Sequence, residues 1–318
     1  MDISKRSEQN ITAAINYETL RQVTQKESGL ILSLLEQLAA RFSLCDPLVI
    51  HLEDYQEVFG IPSSSLIDSF LAVKKGFLAL KTNEYVISCA DPLYPAALAD
   101  SLNNPPFLYL KGDVSLLDRQ LIYVTGTRFL TNEGLKRTKD LVGALCEDKR
   151  IVVTGLDRGV ESMASLSVSA LKGKIVVILS TPLNQFRYEE IRSLQDHIGD
   201  HGLLISPFAP SQETQRWHIA VQKEILTTVS HCMIVTEEKD GGAGVKGIHT
   251  MNESGKSVYI YEDSVNDRSL LWARNLDRLK NVKIVRDSRA VLSFLKTADS
   301  SATMRKTILK SEQLSLFD

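Results

Sequence analysis

The chain has 318 residues, a formal net charge of −2 and 43% hydrophobic residues, enough for two globular domains and a sizeable core. This balance excludes a global basic field, so any bound nucleic acid must meet cations gathered on one face. The four cysteines (Cys45, Cys89, Cys146, Cys232) show no paired spacing, which argues against a disulfide framework or zinc ribbon and for reduced thiols in the cytoplasm. No secretory leader is expected, and the longest apolar run, Ile175 to Leu179, is too short to cross a bilayer.

Residues 1–27 are polar and weakly periodic, the pattern of a loose helix or arm. Residues 28–88 read as a small helical domain, with Leu30, Leu34, Leu35 and Leu38 at helical spacing and a turn at Phe59–Ser65 leading into a helix through Leu66, Ile67 and Phe70. Such a module suits either a DNA-handling protein or a plain protein-interaction or packing role. A proline-punctuated connector with one short strand follows, from Asp91 to Gly112. Strands are then expected at 121–125, 151–154, 174–179, 203–206, 232–236, 257–261 and 282–285. Helices are expected near 132–147, 160–172, 187–198, 215–229, 246–254 and 287–296. This alternation predicts an α/β fold with a mostly parallel sheet and right-handed crossovers over 89–296. Residues 297–311 lose periodicity and read as a flexible linker within a tail covering 297–318.

Two glycine turns stand at the ends of apolar runs. The first holds Gly126, Thr127 and Arg128, followed by Thr131 as a helix cap and Gly134; the second holds Gly155, Arg158 and Gly159. A buried strand running into Gly, with an Arg beside it and a helix behind it, forms an anion site: glycine admits close approach, the helix start presents N–H groups and the guanidinium adds charge. A third loop, Asp240 to Gly247, offers Gly242, Gly244 and Lys246 as a phosphate nest, without the Gly-Lys-Ser/Thr spacing of a Walker A loop. Gln215–His218 precedes a helix carrying Gln222 and Lys223; Trp217 there fits either base stacking or packing. No Ser-His-Asp order, metal-ligand cluster or carboxylate pair emerges, so no catalytic residue, metal or cofactor is expected. The tail residues Gln313, Leu314, Ser315, Leu316 and Phe317 alternate apolar positions and end in an aromatic, which suits insertion into a hydrophobic cleft on a partner.

These residues resemble the DNA-processing protein A (DprA/Smf) family over about 85–262. Asp91–Pro95 is similar to its Asp-x-x-Tyr-Pro segment, and Asn104–Gly112 to its Asn-Pro-Pro-x-Leu-Tyr-x-x-Gly strand. Val124–Gly134 is similar to its Val-Gly-(Ser/Thr)-Arg-x-x-(Thr/Ser)-x-x-Gly turn, and Thr154–Gly159 to its Ser-Gly-x-Ala-Arg-Gly-Ile-Asp segment. The chain departs from the family pattern at Asp157 (where Ala is usual) and at Ser165 (near the usual His). It departs again at Ile219–Glu224, in place of Phe-Pro-x-Arg-Asn-Arg, and at Gly242-Ala-Gly244, in place of Ser-Gly-Ser. The resemblance implies an extended Rossmann-like fold that binds single-stranded DNA, forms a homodimer and hands the strand to the RecA recombinase. The tail resembles the pentapeptide by which proteins bind the bacterial sliding clamp.

The sequence therefore points to a non-enzymatic DNA-handling protein without membrane contact. Gly126, Thr127 and Gly155 would admit the DNA backbone, and Arg128, Arg158, Lys223 and Lys246 would neutralise phosphates. The alternative is a nucleotide-binding sensor or nucleotide hydrolase using the same pocket. The hydrolase branch carries Pro-Gly-Gly-x-Gly-Thr-x-x-Glu, whereas Gly244 here is followed by Val245, and Gly247-Ile248 brings no Glu.

Overall fold

The computed structural model describes residues 3–101, 104–266 and 270–300, with the backbone alone at 275 and 277. Along the chain, α1 (Ile3–Thr24), α2 (Ser28–Ala39), α3 (Leu52–Phe59) and α4 (Ser63–Phe77) lead into β1 (Glu84–Ser88), α5 (Ala96–Ala99) and β2 (Phe107–Gly112). Then come β3 (Leu121–Thr125), α6 (Asn132–Glu147), β4 (Ile151–Thr154), α7 (Val160–Ala170), β5 (Ile175–Ile178), α8 (Arg192–His201) and β6 (Leu203–Ser206). They are followed by α9 (His218–Val229), β7 (Cys232–Val235), α10 (Ala243–Glu253), β8 (Ser257–Tyr261) and β9 (Val282–Val285). A last helix, α11, covers 288–300 and so runs through the first residues expected as linker. The elements fall into two compact units: the chain up to Arg119 with Ile175–Val229, and Gln120–Lys174 with the chain from Ser230 onward.

In the first unit the strand order is β1-β2-β6-β5. β1 lies antiparallel to β2 (Val86 opposite Tyr109) and β2 antiparallel to β6 (Leu110 opposite Ile205), while β5 and β6 run parallel. β1 was not foreseen; it falls inside the stretch expected to be helical. Its outer edge is covered by α1: Val86 N–H donates to Ser7 Oγ at 2.8 Å, and Asn10 Nδ2 donates to the Val86 carbonyl at 3.1 Å. An unpaired strand edge is thereby closed by side chains.

Residues 3–24, expected as a loose helix or arm, form one continuous helix whose residues 14–20 are all buried. The polar members of that run have partners. Asn16 Nδ2 donates to the carbonyls of Leu44 and Asp46 at 3.0 and 2.7 Å, and its Oδ1 accepts from Leu48 N–H at 2.9 Å. Glu18 accepts from Arg21 Nε at 2.9 Å and from Gln212 Nε2 at 3.0 Å. A helix covered on all sides shows no apolar stripe, which is why its sequence reads as weakly periodic.

In the second unit the order is β4-β3-β7-β8-β9 and every described pairing is parallel, with Tyr123 opposite both Val153 and Met233. The strands expected here stand at their expected positions. β3, β4 and β7 are buried along their whole lengths, as parallel strands covered on both faces must be, and their Val- and Ile-rich sequences reflect that. Because β4, β3 and β7 are neighbours, the loops that follow them gather at one sheet edge, where open parallel sheets bind ligands.

Candidate nucleic-acid interface

β3 runs into Gly126, where a Cβ would collide with the Glu237 carbonyl oxygen and lie 2.7 Å from Val160 Cγ2. Thr127 N–H donates to that Glu237 carbonyl at 2.7 Å. Thr127 Oγ1 accepts from Phe129 N–H at 3.1 Å. Thr131 caps α6, its Oγ1 accepting from Gly134 N–H at 3.1 Å, and both its N–H and its hydroxyl donate to Glu237 Oε2 at 3.1 Å. The loop from Gly126 to Thr131 is thus fastened at both ends to the backbone and carboxylate of one buried residue, Glu237. Gly134 is required for the same reason, since a Cβ there would strike that carboxylate.

The second loop is built against the first. Val160 N–H, at the start of α7, donates to the Thr127 carbonyl at 3.1 Å. Gly159 has φ +87°, and a Cβ on it would collide with the Thr127 carbonyl and press on Arg128 Cα at 2.6 Å. Only glycine combines that dihedral with that approach. Gly155 N–H donates to Glu161 Oε2 at 3.1 Å, while Glu161 Oε1 accepts from Tyr123 Oη at 2.8 Å and Thr125 Oγ1 at 2.7 Å. Leu156 is buried in the left-handed region at φ +58°, a strained conformation for a bulky side chain in the middle of the loop. Ser165, near the family's usual His, shares a 2.8 Å hydrogen bond with Thr154 beneath the sheet edge.

Arg128 and Arg158 are exposed beside each other's loops. Arg128 Nη2 lies 3.8 Å from Asp157 Oδ2, and its side chain is 47% exposed. The carboxylate that replaces the family's Ala is buried and holds Arg128 loosely, without withdrawing it from solvent. Phe129, which sequence reasoning passed over, is 77% exposed next to Arg128.

The third loop corrects the expected phosphate nest. Gly244 N–H and Lys239 N–H donate to the buried Glu238 carboxylate at 2.9 and 2.8 Å, and a Cβ on Gly242 or Gly244 would strike it. The glycines make room for the protein's own carboxylate, which occupies the anion position at the start of α10. In the same way the N–H groups of Gly155 and Thr127 are engaged internally, so they shape the loops rather than present donors. The chemistry left to the edge belongs to side chains: Arg128, Arg158, Phe129 and Lys246, which is exposed on α10.

Lys223 lies on α9 in the other unit and is half-buried, next to Gln222, which is fully buried with its Nε2 donating to the Ile178 carbonyl at 2.7 Å. Trp217 keeps 54% of its surface exposed while its ring meets His218 edge-on at 4.3 Å. His218 is buried, stacked on Phe208 at 3.7 Å, and burial pushes its pKa down to about 4. Among the described residues no group of three or more His, Cys, Asp or Glu is arranged to hold a metal ion, and no helix is long and apolar enough to cross a membrane. Gln313–Phe317 lies outside the described residues.

A mostly parallel sheet with interlocked glycine–arginine turns after neighbouring strands defines a Rossmann-like protein with two arginines exposed at one sheet edge. Residues 85–296 match the family model for DNA recombination-mediator protein A, and the chain belongs to that family. It is 26% identical over 180 residues to DNA processing protein DprA of Streptococcus pneumoniae (strain ATCC BAA-255 / R6), 57% of this chain and 64% of that protein. It is also 26% identical over 175 residues to DprA of Bacillus subtilis (strain 168), 55% of this chain and 59% of that one. The chain therefore matches about three fifths of the length of these relatives. The fold is shared with the crystal structure of DprA from Streptococcus pneumoniae at a TM-score of 0.69 and 23% identity, covering 87% of this chain and 97% of that one. It is also shared with DNA processing protein A from Helicobacter pylori, whose structure concerns that protein's single-stranded DNA binding mode. There the TM-score is 0.60 and the identity 16%, covering 68% of this chain and 96% of that one.

Proposed function

We propose that this protein binds single-stranded DNA without turning it over, in DNA recombination or processing in the cytoplasm. The observation that carries the reading is the pair of interlocked loops that hold Arg128 and Arg158 exposed at the edge of β3 and β4 while buried carboxylates fix the backbone behind them. Family membership and the single-stranded DNA binding of the Helicobacter pylori relative support it. Gly126, Thr127, Gly155, Gly159, Gly242 and Gly244 shape the surface, and Arg128, Arg158 and Lys246 meet phosphates. The competing reading, a nucleotide sensor or hydrolase, is disfavoured by Glu238, which fills the place where a phosphate would sit at the start of α10.

The finer reading adds partners. The protein acts as a homodimer, passes the strand to RecA recombinase, and is brought to the replication sliding clamp by Gln313, Leu314, Ser315, Leu316 and Phe317. The test of the core reading is a salt titration of binding to single-stranded DNA, duplex DNA and free nucleotides in parallel. Single strands should bind best, with log K falling by about 0.7 per phosphate contact per decade of salt. Arg128→Ala and Arg158→Ala should each lose about 1–3 kcal/mol and flatten the salt slope. Affinity unchanged in both variants, or release of base or phosphate from a nucleotide, would overturn it.

A further inference from the structure

Phe129 is a large aromatic left 77% exposed on a loop that is otherwise tightly fastened. Scattered exposed apolar residues are ordinary, and most need no explanation. This one differs in how it is carried. Its own N–H is held by Thr127 Oγ1 at 3.1 Å, Thr127 N–H is held by the Glu237 carbonyl at 2.7 Å, and Thr131 is bound to Glu237 Oε2 through both its N–H and its hydroxyl. On the other side Gly159, lacking a Cβ, lets the second loop close against the backbone of Arg128. The ring therefore projects from backbone pinned before and after it, so little order remains to be lost when it meets a ligand. Beside it stands the half-exposed Arg128 guanidinium, and Arg158 lies exposed on the adjoining loop.

A flat apolar face next to cations fits a ligand that offers a π-face and a phosphate in each repeating unit. A single strand of nucleic acid does this; a duplex keeps its base faces stacked inside. We infer that Phe129 is a base-stacking platform that sets the preference for single over double strands, with the sugar–phosphate backbone passing over Arg128. The inference rests on the DNA-binding reading proposed above and names the residue that would make it selective.

The experiment compares wild type, Phe129→Leu and Phe129→Trp. The ligands are a thymidine oligonucleotide of about 16 nucleotides, an abasic strand of the same length and charge, and a duplex. Phe129→Leu keeps apolar volume and removes the flat ring, and the position is exposed, so folding should be unaffected; thermal melting checks this. The expected result is a loss of about 5- to 150-fold for the thymidine strand, the range for one stacked base, with abasic affinity and salt slope unchanged. Tryptophan emission in Phe129→Trp should be quenched by the thymidine strand and not by the abasic one. If wild type and Phe129→Leu bind the thymidine strand equally well with the same salt slope, the stacking role falls and the DNA-binding reading stands. If Phe129→Leu weakens both strands alike, the ring only supports the loop and the inference falls. If wild type binds neither strand, both readings fall.

Discussion

The backbone N–H of Gly244 donates to the Glu238 carboxylate at 2.9 Å, so the start of α10 carries an anion supplied by its own chain. Removing that carboxylate should expose the position. Glu238→Ala should cost about 1–3 kcal/mol, because the buried N–H of Gly244 and the part-buried N–H of Lys239 lose their acceptor. Inorganic phosphate should then raise the melting temperature of the variant more than that of wild type. An equal phosphate response in the two proteins would show that no anion position had been opened.

Gly159 is held at φ +87° with the Thr127 carbonyl where a Cβ would be. Gly159→Ala should therefore destabilise by more than about 1 kcal/mol through strain and collision together. It should also weaken single-stranded DNA binding although both arginines remain, since the loops would separate. Urea unfolding and a binding titration on the same preparation check this; a variant as stable as wild type would contradict the interlocking described.

His218 is buried against Phe208, and its pKa lies near 4 against an ordinary 6.5. Between those values the unfolded chain binds a proton that the folded protein refuses, so this residue's share of stability is intact above pH 6.5 and is lost as pH falls toward 4. The loss amounts to at most about 3 kcal/mol. Urea unfolding of wild type and His218→Gln across this window should give a difference that narrows as pH falls. A constant difference would mean that His218 titrates as it does in water.

Deleting residues 313–318 should abolish binding to the bacterial sliding clamp and leave melting temperature and single-stranded DNA affinity unchanged. A change of both Leu316 and Phe317 to Ala should do the same. Such a peptide gains about 25 cal/mol per Å² of apolar surface buried and gives back part of that in ordering, so modest affinity is expected. Undiminished clamp binding by the truncated protein would make the match of Gln313–Phe317 a coincidence.

Much of the sheet was legible because β3, β4 and β7 are short runs of Val, Ile and their like ending in Gly or in polar loop residues, the pattern of strands covered on both faces. The arginine-bearing turns were legible for the same reason. What escaped was burial of polar groups. In α1, Asn16 and Glu18 look like surface residues in a linear reading; the acceptors and donors that satisfy them lie elsewhere in the fold, at Leu44, Asp46, Leu48 and Gln212. Glu237 and Glu238 escaped likewise. Two acids one residue past a buried strand and ahead of a glycine loop were the available signal, and they decide which backbone donors the edge can offer.

The strand orders also bear on how the protein is made. β2 finds its second neighbour only when β6 emerges, after everything from Asp113 to Gly202 has been synthesised, and β3 waits in the same way for β7. Each unit is stitched from two separated stretches of chain, so the first cannot close before Val229 is made and the second must wait for the stretch from Ser230 onward. Translation proceeds at roughly 5–20 residues per second, so for several seconds the nascent β1–β2 ribbon stands with an open edge and long-range pairings still to be made. A ribosome that pauses before Leu203 holds out a ribbon with an unpaired edge instead of a finished domain, and such an edge is prone to pair with other chains.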